Sequence, residues 1–382
     1  MAAPPVQQSH PDDLVRELAG PPGWDLLPTA EPLQLVGPTG EQVGSQLRLP
    51  ADDVLLDLHR RMVLGRRFDA QATALTRQGR LAVYPSSRGQ EACQVTAATV
   101  LRPQDWLFPT YRDSVAVVTR GVDPLETLTQ FRGDWHTGFD PYAHRVAPQC
   151  TPLATNTLHA VGLAHAARLQ GQDTVALVLL GDGATSEGDT AEALTCAGVW
   201  RAPVVFLVQN NGYAISVPLA KQTAAPSLAH KGVGHGVPGV LVDGNDAAAL
   251  HAVLTAAVAR AAAGGGPTLV EARTYRMEAH TNADDATRYR SAEEVAAWRD
   301  RDPITRLECL LTDRGLLDAP AREALSAEAE QLAALVREGT TQEAEADPLA
   351  LFDHVYAEPT AQLRAQRQLL AEELAAPAGD DR

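Results

Sequence analysis

The sequence predicts an α/β protein: a three-layer αβα fold around a mostly parallel sheet, with an N-terminal arm before it and helices after it. Three observations carry that expectation. Two short apolar runs, "TVALVLL" at Thr174–Leu180 and "VVFLVQN" at Val204–Asn210, have the content of strands buried on both faces. A helical stretch, Gly188–Val199, lies between them, and a strand–helix–strand crossover makes the two strands parallel. The alternation then returns, with "VPGVLVDG" at Val237–Gly244, the helix-like "DAAALHAVLTAAVARAAAGGG", and "PTLVEARTYR" at Pro267–Arg276.

The other elements follow in order. Residues 1–48 are rich in Pro, Gly and Gln and predict an extended arm with little regular structure. From Pro50 the pattern turns helical: Leu55, Leu58, Met62 and Phe68 stripe one face, and Asp52 and Asp53 suit its N-terminal end. A second helix is expected over Gln90–Leu101, and "DWLFPTYRDSVAVVTRG" predicts a turn and then a short helix. "TPLATNTLHAVGLAHAARLQG" has apolar residues at helical spacing, and from Ser291 the chain is charged and helical. The expected division is an arm over 1–48, a ligand-binding domain over 49–300 and a helical extension over 301–382, packed on that domain or on a partner. No fixed-period repeat and no clear second domain stand out.

Composition narrows the function. With 48 acidic against 32 basic residues the net charge is −16, which argues against nucleic acid as the main partner. It leaves room for a local basic pocket around one small phosphate ligand. Cys93, Cys150, Cys196 and Cys309 form no Cys-x-x-Cys pair, so buried free thiols are expected rather than zinc or disulfides. "MAAPPVQQSHPDDLV" lacks the basic start and apolar block of a signal peptide, and no apolar run reaches the roughly 18–20 residues that span a bilayer. No membrane and a cytoplasmic location are the expectation.

The chemistry is concentrated in the middle of the chain. Gly181-Asp182-Gly183 ends the first strand, and Asn210-Asn211-Gly212 ends the second, with Asp182 and Asn211 29 residues apart. Open parallel sheets bind ligands outside the carboxyl ends of their strands. The crossover therefore brings a carboxylate and an amide oxygen to one edge. Both are hard donors of the kind Mg²⁺ takes, with phosphate oxygens completing its shell. Glycines beside Asp182 let backbone N–H groups approach an anion, and the next helix presents its positive end. Either tripeptide alone is a common turn. Both at strand ends, at this spacing, point to a Mg²⁺-diphosphate site. No Walker loop and no Gly-x-Gly-x-x-Gly turn after a first strand is present, which argues against ATP or NAD.

Gly181-Asp182-Gly183 through Asn210-Asn211 resembles the thiamine diphosphate signature. "RGQEA" (Arg88–Ala92), "PTYRD" (Pro109–Asp113), "TPLATN" (Thr151–Asn156), "GDGATSEGD", "QNNGYAIS" and "HTNADDATRYRS" (His280–Ser291) extend the likeness over roughly residues 45–365. In that order they are similar to the alpha subunit of the decarboxylating first component of 2-oxo acid dehydrogenase complexes, of branched-chain or pyruvate type.

The resemblance implies the thiamine diphosphate-binding fold and residue roles. Mg²⁺ would be held by Asp182, the Asn211 side chain and the Tyr213 carbonyl. Gly181, Gly183 and Ala184 would line the diphosphate, with Tyr111 and Arg112 beside it and Leu153 against the bend between the cofactor's rings. His280 would contact the diphosphate and assist acyl transfer as a proton donor or by orientation. Arg276, Asp284, Asp285, Tyr289 and Arg290 would order its loop into a lid by mutual charge pairing. Two positions depart from the pattern. Gln209 stands where branched-chain relatives can carry an Arg. Cys150 stands where animal relatives can have a serine of a potassium site, with Thr155 and Asn156 left to serve it.

The implied reaction is decarboxylation of a small 2-oxo acid on thiamine diphosphate and transfer of the acyl group to the lipoyl group of an acyltransferase component. The glutamate that activates the cofactor comes, in heterotetrameric relatives, from a separate beta subunit. An alpha2–beta2 assembly is therefore expected, with this chain incomplete alone. An acetoin-cleaving dehydrogenase alpha subunit resembles the same pattern. A non-catalytic paralogue is expected to lose a metal ligand, and both Asp182 and Asn211 are present. "GDGATSEGD" and "HTNADD" are worded like branched-chain members, and "FRGDWH" at Phe131–His136 like pyruvate members.

Overall fold

The computed structural model describes residues 26–44, 47–133, 137–340 and 347–376. Residues 1–25 of the expected arm lie outside these, as do Asp134, Trp135 and His136 of the "FRGDWH" block. The chain divides into two compact units, residues 1–339 and 340–382.

In the first unit five strands make one parallel sheet. They are β1 (Trp106–Phe108), β2 (Ala176–Gly181), β3 (Val204–Asn210), β6 (Gly239–Asp243) and β7 (Thr268–Arg273), in spatial order β1-β2-β3-β7-β6. A separate two-residue hairpin, β4 (Tyr213–Ala214) with β5 (Val217–Pro218), follows β3. Every residue of β3 is buried, the signature of a strand covered on both faces. Alternation along the strands sorts the core into two layers. Leu177, Leu179, Val205 and Leu207 join one cluster; Val178, Leu180, Phe206 and Val208 join the other.

Helices cover both faces. The first cluster takes in α1 (Asp52–Arg77), α2 (Glu91–Thr99) and α3 (Ser114–Thr119). It also takes in α4 (Pro124–Arg132). Beyond a short turn, α5 (Pro141–His144), the second cluster takes in α6 (Thr155–Leu169) and α7 (Gly188–Trp200). On the first face again lie α8 (Ala247–Ala262), α10 (Pro303–Asp313) and α11 (Ala319–Gly339), with α9 (Ala292–Arg299) just before α10. The stripe expected on the first helix is real: Leu55, Leu58, Met62 and Phe68 are all buried in α1.

Two elements differ from expectation. Trp106–Phe108, expected as a turn, pairs in parallel with Ala176–Val178 as an edge strand. Three residues are too few to show a period, so only pairing reveals it. The arm has little regular structure, yet it is anchored. Leu33 N–H donates to the Leu241 carbonyl at 2.9 Å, and Asp243 N–H donates to the Leu33 carbonyl at 3.0 Å. The arm thus caps the open edge of β6, where unpaired backbone groups would otherwise face water.

All four cysteines are free, as expected, but only Cys93 is buried. No helix among the described residues is long and apolar enough to cross a membrane. In the second unit a 3₁₀ turn, Pro348–Phe352, and α12 (Ala361–Ala375) bury no residue fully.

Candidate active site

Parallel pairing sets the site. Gly181 lies opposite Gln209, so Asp182 leaves β2 level with the end of β3, and Asn211 follows one step on. Neighbouring strands are about 4.8 Å apart, which keeps the two loops side by side. The expected residues come together there. Tyr111, Arg112, Leu153, Gly181, Asp182, Gly183, Ala184, Asn211, Tyr213 and His280 all line one cleft of about 560 Å³.

Two glycines make the approach possible. At Gly183 a Cβ would sit 2.7 Å from that of Ala214, so the loop after β2 could not pack against β4 with a side chain there. Gly212 has φ +88°, a left-handed turn that carries the chain from Asn211 back to Tyr213. Between Asp182 and α7 stands one 3₁₀ turn, Gly183–Ser186, and α7 starts at Gly188 as the sequence predicts.

The donor atoms are oxygens. Asp182 is 1% exposed, and its Oδ2 accepts Gln222 Nε2 at 2.6 Å. Burial raises its pKa above the ordinary carboxylate value, against the opposing pull of Gln222 and Arg276. Among the described residues no cationic group makes an ion pair with it. A buried carboxylate in that condition suits a metal cation. Asn211 donates Nδ2 to Gln90 Oε1 at 3.0 Å, and its Oδ1 accepts Tyr213 N–H at 3.2 Å. The Tyr213 carbonyl accepts Arg276 Nη1 at 3.4 Å.

Beside the Tyr213 carbonyl lie two guanidiniums, those of Arg276 and Arg112. Arg112 donates Nη1 to the Ser86 carbonyl at 3.0 Å and Nη2 to the His280 carbonyl at 3.1 Å. Its Nη2 also lies 2.9 Å from His280 Nδ1, with Arg276 Nη1 at 3.5 Å. A guanidinium only donates, so Nδ1 is the acceptor and the imidazole proton sits on Nε2. Burial, then Arg112, then Arg276, push the His280 pKa down to about 4, so the ring is neutral at pH 7. Arg276 is 1% exposed, and its buried Nε has no hydrogen-bond partner. Two buried guanidiniums side by side form an anion receptor.

The loop around His280, expected as a lid ordered by charge pairing, is bonded differently from that expectation. Arg276 and Arg290 donate mainly to backbone carbonyls rather than to carboxylates. Arg276 Nη2 reaches the Ile215 carbonyl at 2.6 Å and the Tyr289 hydroxyl at 2.7 Å. Arg290 Nη2 reaches the carbonyls of Met277 at 2.9 Å and Glu278 at 2.7 Å. Asp284 Oδ2 accepts His280 N–H at 2.7 Å and also the Tyr289 hydroxyl. Asp285 caps its own turn through Thr287 N–H. Cys150 donates Sγ–H to the Pro152 carbonyl at 3.3 Å, and Asn156 Nδ2 to the Leu179 carbonyl at 2.8 Å.

Several residues at the site escaped the sequence reading. Gln222 was invisible as an Asp182 partner. Gln90 stands inside the quoted "RGQEA" block, but nothing local assigns it to Asn211. Asp69 accepts Tyr84 Oη at 3.1 Å, Ser86 Oγ at 2.6 Å and Ser87 N–H at 2.6 Å, and so fixes the loop that holds Arg112.

Comparison with known proteins decides the family. Residues 59–351 match the model of the dehydrogenase E1 component. The chain belongs to the dehydrogenase E1 component family. It is 47% identical over 357 residues to the 3-methyl-2-oxobutanoate dehydrogenase subunit alpha of Mycobacterium tuberculosis, covering 93% of this chain and 97% of that one. It is 39% identical over 290 residues to a pyruvate dehydrogenase E1 component subunit alpha of Staphylococcus aureus, covering 75% and 78%. Thiamine diphosphate is the cofactor of this E1 family. The cleft suits it in three respects. Its volume lies within the roughly 300–1,000 Å³ of small-molecule sites. The Arg112–Arg276 pair offers an anion receptor. At Gly181 a Cβ would meet nothing within 4 Å, so the missing side chain leaves the cleft floor open.

Proposed function

We propose that this chain is the alpha subunit of a branched-chain 2-oxo acid dehydrogenase, acting on 3-methyl-2-oxobutanoate and its homologues. The 47% identity over nearly the full length of both chains carries the reading, against 39% over a shorter span for the pyruvate relative. Val83, Phe131, Leu153 and Ile215 line the same cleft and give it an apolar side for a branched aliphatic chain.

When bound, thiamine diphosphate supplies the carbanion that lets a 2-oxo acid lose CO₂. This chain's residues hold and orient it. Asp182, the Asn211 side chain and the Tyr213 carbonyl are the proposed Mg²⁺ ligands, a set of hard oxygens that leaves positions for diphosphate. The backbone of Gly183 and Ala184, with Tyr111 and Arg112, would hold the diphosphate, and Leu153 would line the space for the cofactor rings. His280 keeps its proton on Nε2, neutral between two guanidiniums, and from there donates a hydrogen bond that orients the reacting group during acyl transfer.

The acyl group passes to the lipoyl group of an acyltransferase component. A beta subunit closes the site in an alpha2–beta2 heterotetramer. Support for that closure lies at the cleft mouth, where Val83, Leu153 and Ile215 are 37%, 44% and 55% exposed. Their apolar surface is suited to cover by a partner.

A substrate panel tests the reading. With the reconstituted complex, kcat/KM for 3-methyl-2-oxobutanoate is expected to exceed that for pyruvate by about 10-fold or more, two methyl groups in an apolar pocket. Equal values, or turnover of acetoin instead, overturn it.

A further inference from the structure

Which end of the Asn211 amide faces the cleft is decided by a chain of buried side chains. Asp113 Oδ2 accepts the Thr110 N–H at 2.7 Å and the Thr110 hydroxyl at 2.8 Å. Its Oδ1 accepts Gln209 Nε2 at 2.7 Å. Gln209 Oε1 accepts Gln90 Nε2 at 2.9 Å, and Gln90 Oε1 accepts Asn211 Nδ2 at 3.0 Å. Asp113, Gln209, Gln90 and Asn211 are 0%, 2%, 2% and 5% exposed.

Water cannot readily stand in for a missing partner here, so each amide that donates on one side must accept on the other. Such a chain has two self-consistent polarities. A carboxylate, acceptor only, selects one of them. With Asp113 at one end, the atom that the amide chain leaves for a further partner at the other end is Asn211 Oδ1. Tyr213 N–H, donating to that oxygen, reinforces the choice.

Resting on the proposed role of Asn211 as a cation ligand, we propose that Asp113, Gln209 and Gln90 are positioning residues that aim the Asn211 oxygen at the bound divalent cation. All three also line the cleft, but their hydrogen bonds run to Thr110, to one another and to Asn211. They act by fixing the polarity of an amide that has an oxygen and a nitrogen of almost the same size.

The decisive variant is Asp113→Asn. It removes no heavy atom and keeps the Thr110 bonds through its carbonyl oxygen. It then offers an NH₂ to Gln209, and the conflict is relieved only by turning over every amide, which presents the Asn211 NH₂ to the cation. Mn²⁺ is the probe, its binding read by electron paramagnetic resonance on the reconstituted complex with thiamine diphosphate. D113N is expected to bind Mn²⁺ about 10–100-fold more weakly, the range for partners of metal ligands. Q209L breaks the chain without reversing it and loses less. The reversed polarity suits a carboxylate at 211, so D113N/N211D regains most of the affinity. N211D alone, with the Gln90 oxygen against its carboxylate, binds no tighter than wild type.

Wild-type affinity in D113N, or no recovery in D113N/N211D, overturns the proposal. Should D113N fail to fold, unchanged Mn²⁺ affinity in Q209L overturns it instead. N211A separates the two levels. If it binds Mn²⁺ like wild type, Asn211 is no ligand and both readings fall. If N211A weakens Mn²⁺ while D113N and Q209L do not, only the positioning chain falls.

Discussion

At the scale of single residues, the cleft sets a buried carboxylate against a pair of guanidiniums, and each side calls for a different ligand charge. Asp182→Asn is expected to weaken Mg²⁺-dependent thiamine diphosphate binding about 100-fold or more, measured by calorimetry on the complex, because the cation loses its one charged protein ligand. His280 gives a pH signature. Its folded pKa, about 4, lies below the ordinary 6.5, so in between the unfolded chain binds a proton that the folded chain does not. Its contribution to stability is full above pH 6.5 and is lost as pH falls toward 4. Asp69, pushed up to about 6 by burial, works in the opposite sense over the overlapping window. The difference between wild type and His280→Gln therefore isolates the histidine. Thermal melts are expected to show a shallower loss of stability in H280Q between pH 6.5 and 4.

At the scale of elements, one carboxylate ties the arm, the sheet edge and a helix together. Asp246 Oδ1 caps α8 by accepting Ala248 N–H at 3.1 Å and Ala249 N–H at 3.0 Å. Its Oδ2 accepts the arm's Leu35 and Val36 N–H groups at 2.6 and 2.8 Å. Asp246→Ala removes the cap and leaves buried donors unpaired, which costs about 2–4 kcal/mol. Urea unfolding checks it, and a loss below about 1 kcal/mol would mean that water replaces the carboxylate. The strand–helix–strand unit around β2 and β3 was legible because its strands are apolar throughout and its helix is bounded by glycine and proline signals. The edge strand Trp106–Phe108 was not, since three residues carry no period and its identity lies in the partner strand about 70 positions on.

At the scale of the whole molecule, the cleft is lined by apolar side chains that are still exposed, Val83, Leu153 and Ile215, and on the proposed reading a second polypeptide covers them. Purified alone, the chain is expected to give no measurable 2-oxo acid decarboxylation with thiamine diphosphate and Mg²⁺. Activity is expected to appear on adding the beta subunit, up to equal molar amounts. Full activity without a second polypeptide would end the divided-site reading. The net charge of −16 coexists with two buried guanidiniums, Arg112 and Arg276, in the cleft.

The sequence by itself determined the fold class, the βαβ frame and the ten residues that meet in the cleft. The frame and the Asp182–Asn211 edge are written in local periods and in strand-end spacing, whereas Tyr111, Arg112, Leu153, Tyr213 and His280 followed only from the resemblance to the family's motifs. Only the tertiary structure decided how those residues are set. Asp113, Gln90 and Gln209 come into one hydrogen-bonded chain across separations of 96 and 119 residues, and no local pattern encodes such a meeting. The same holds for the neutral state of His280, since a histidine's charge depends on which cations and how much water surround it after folding.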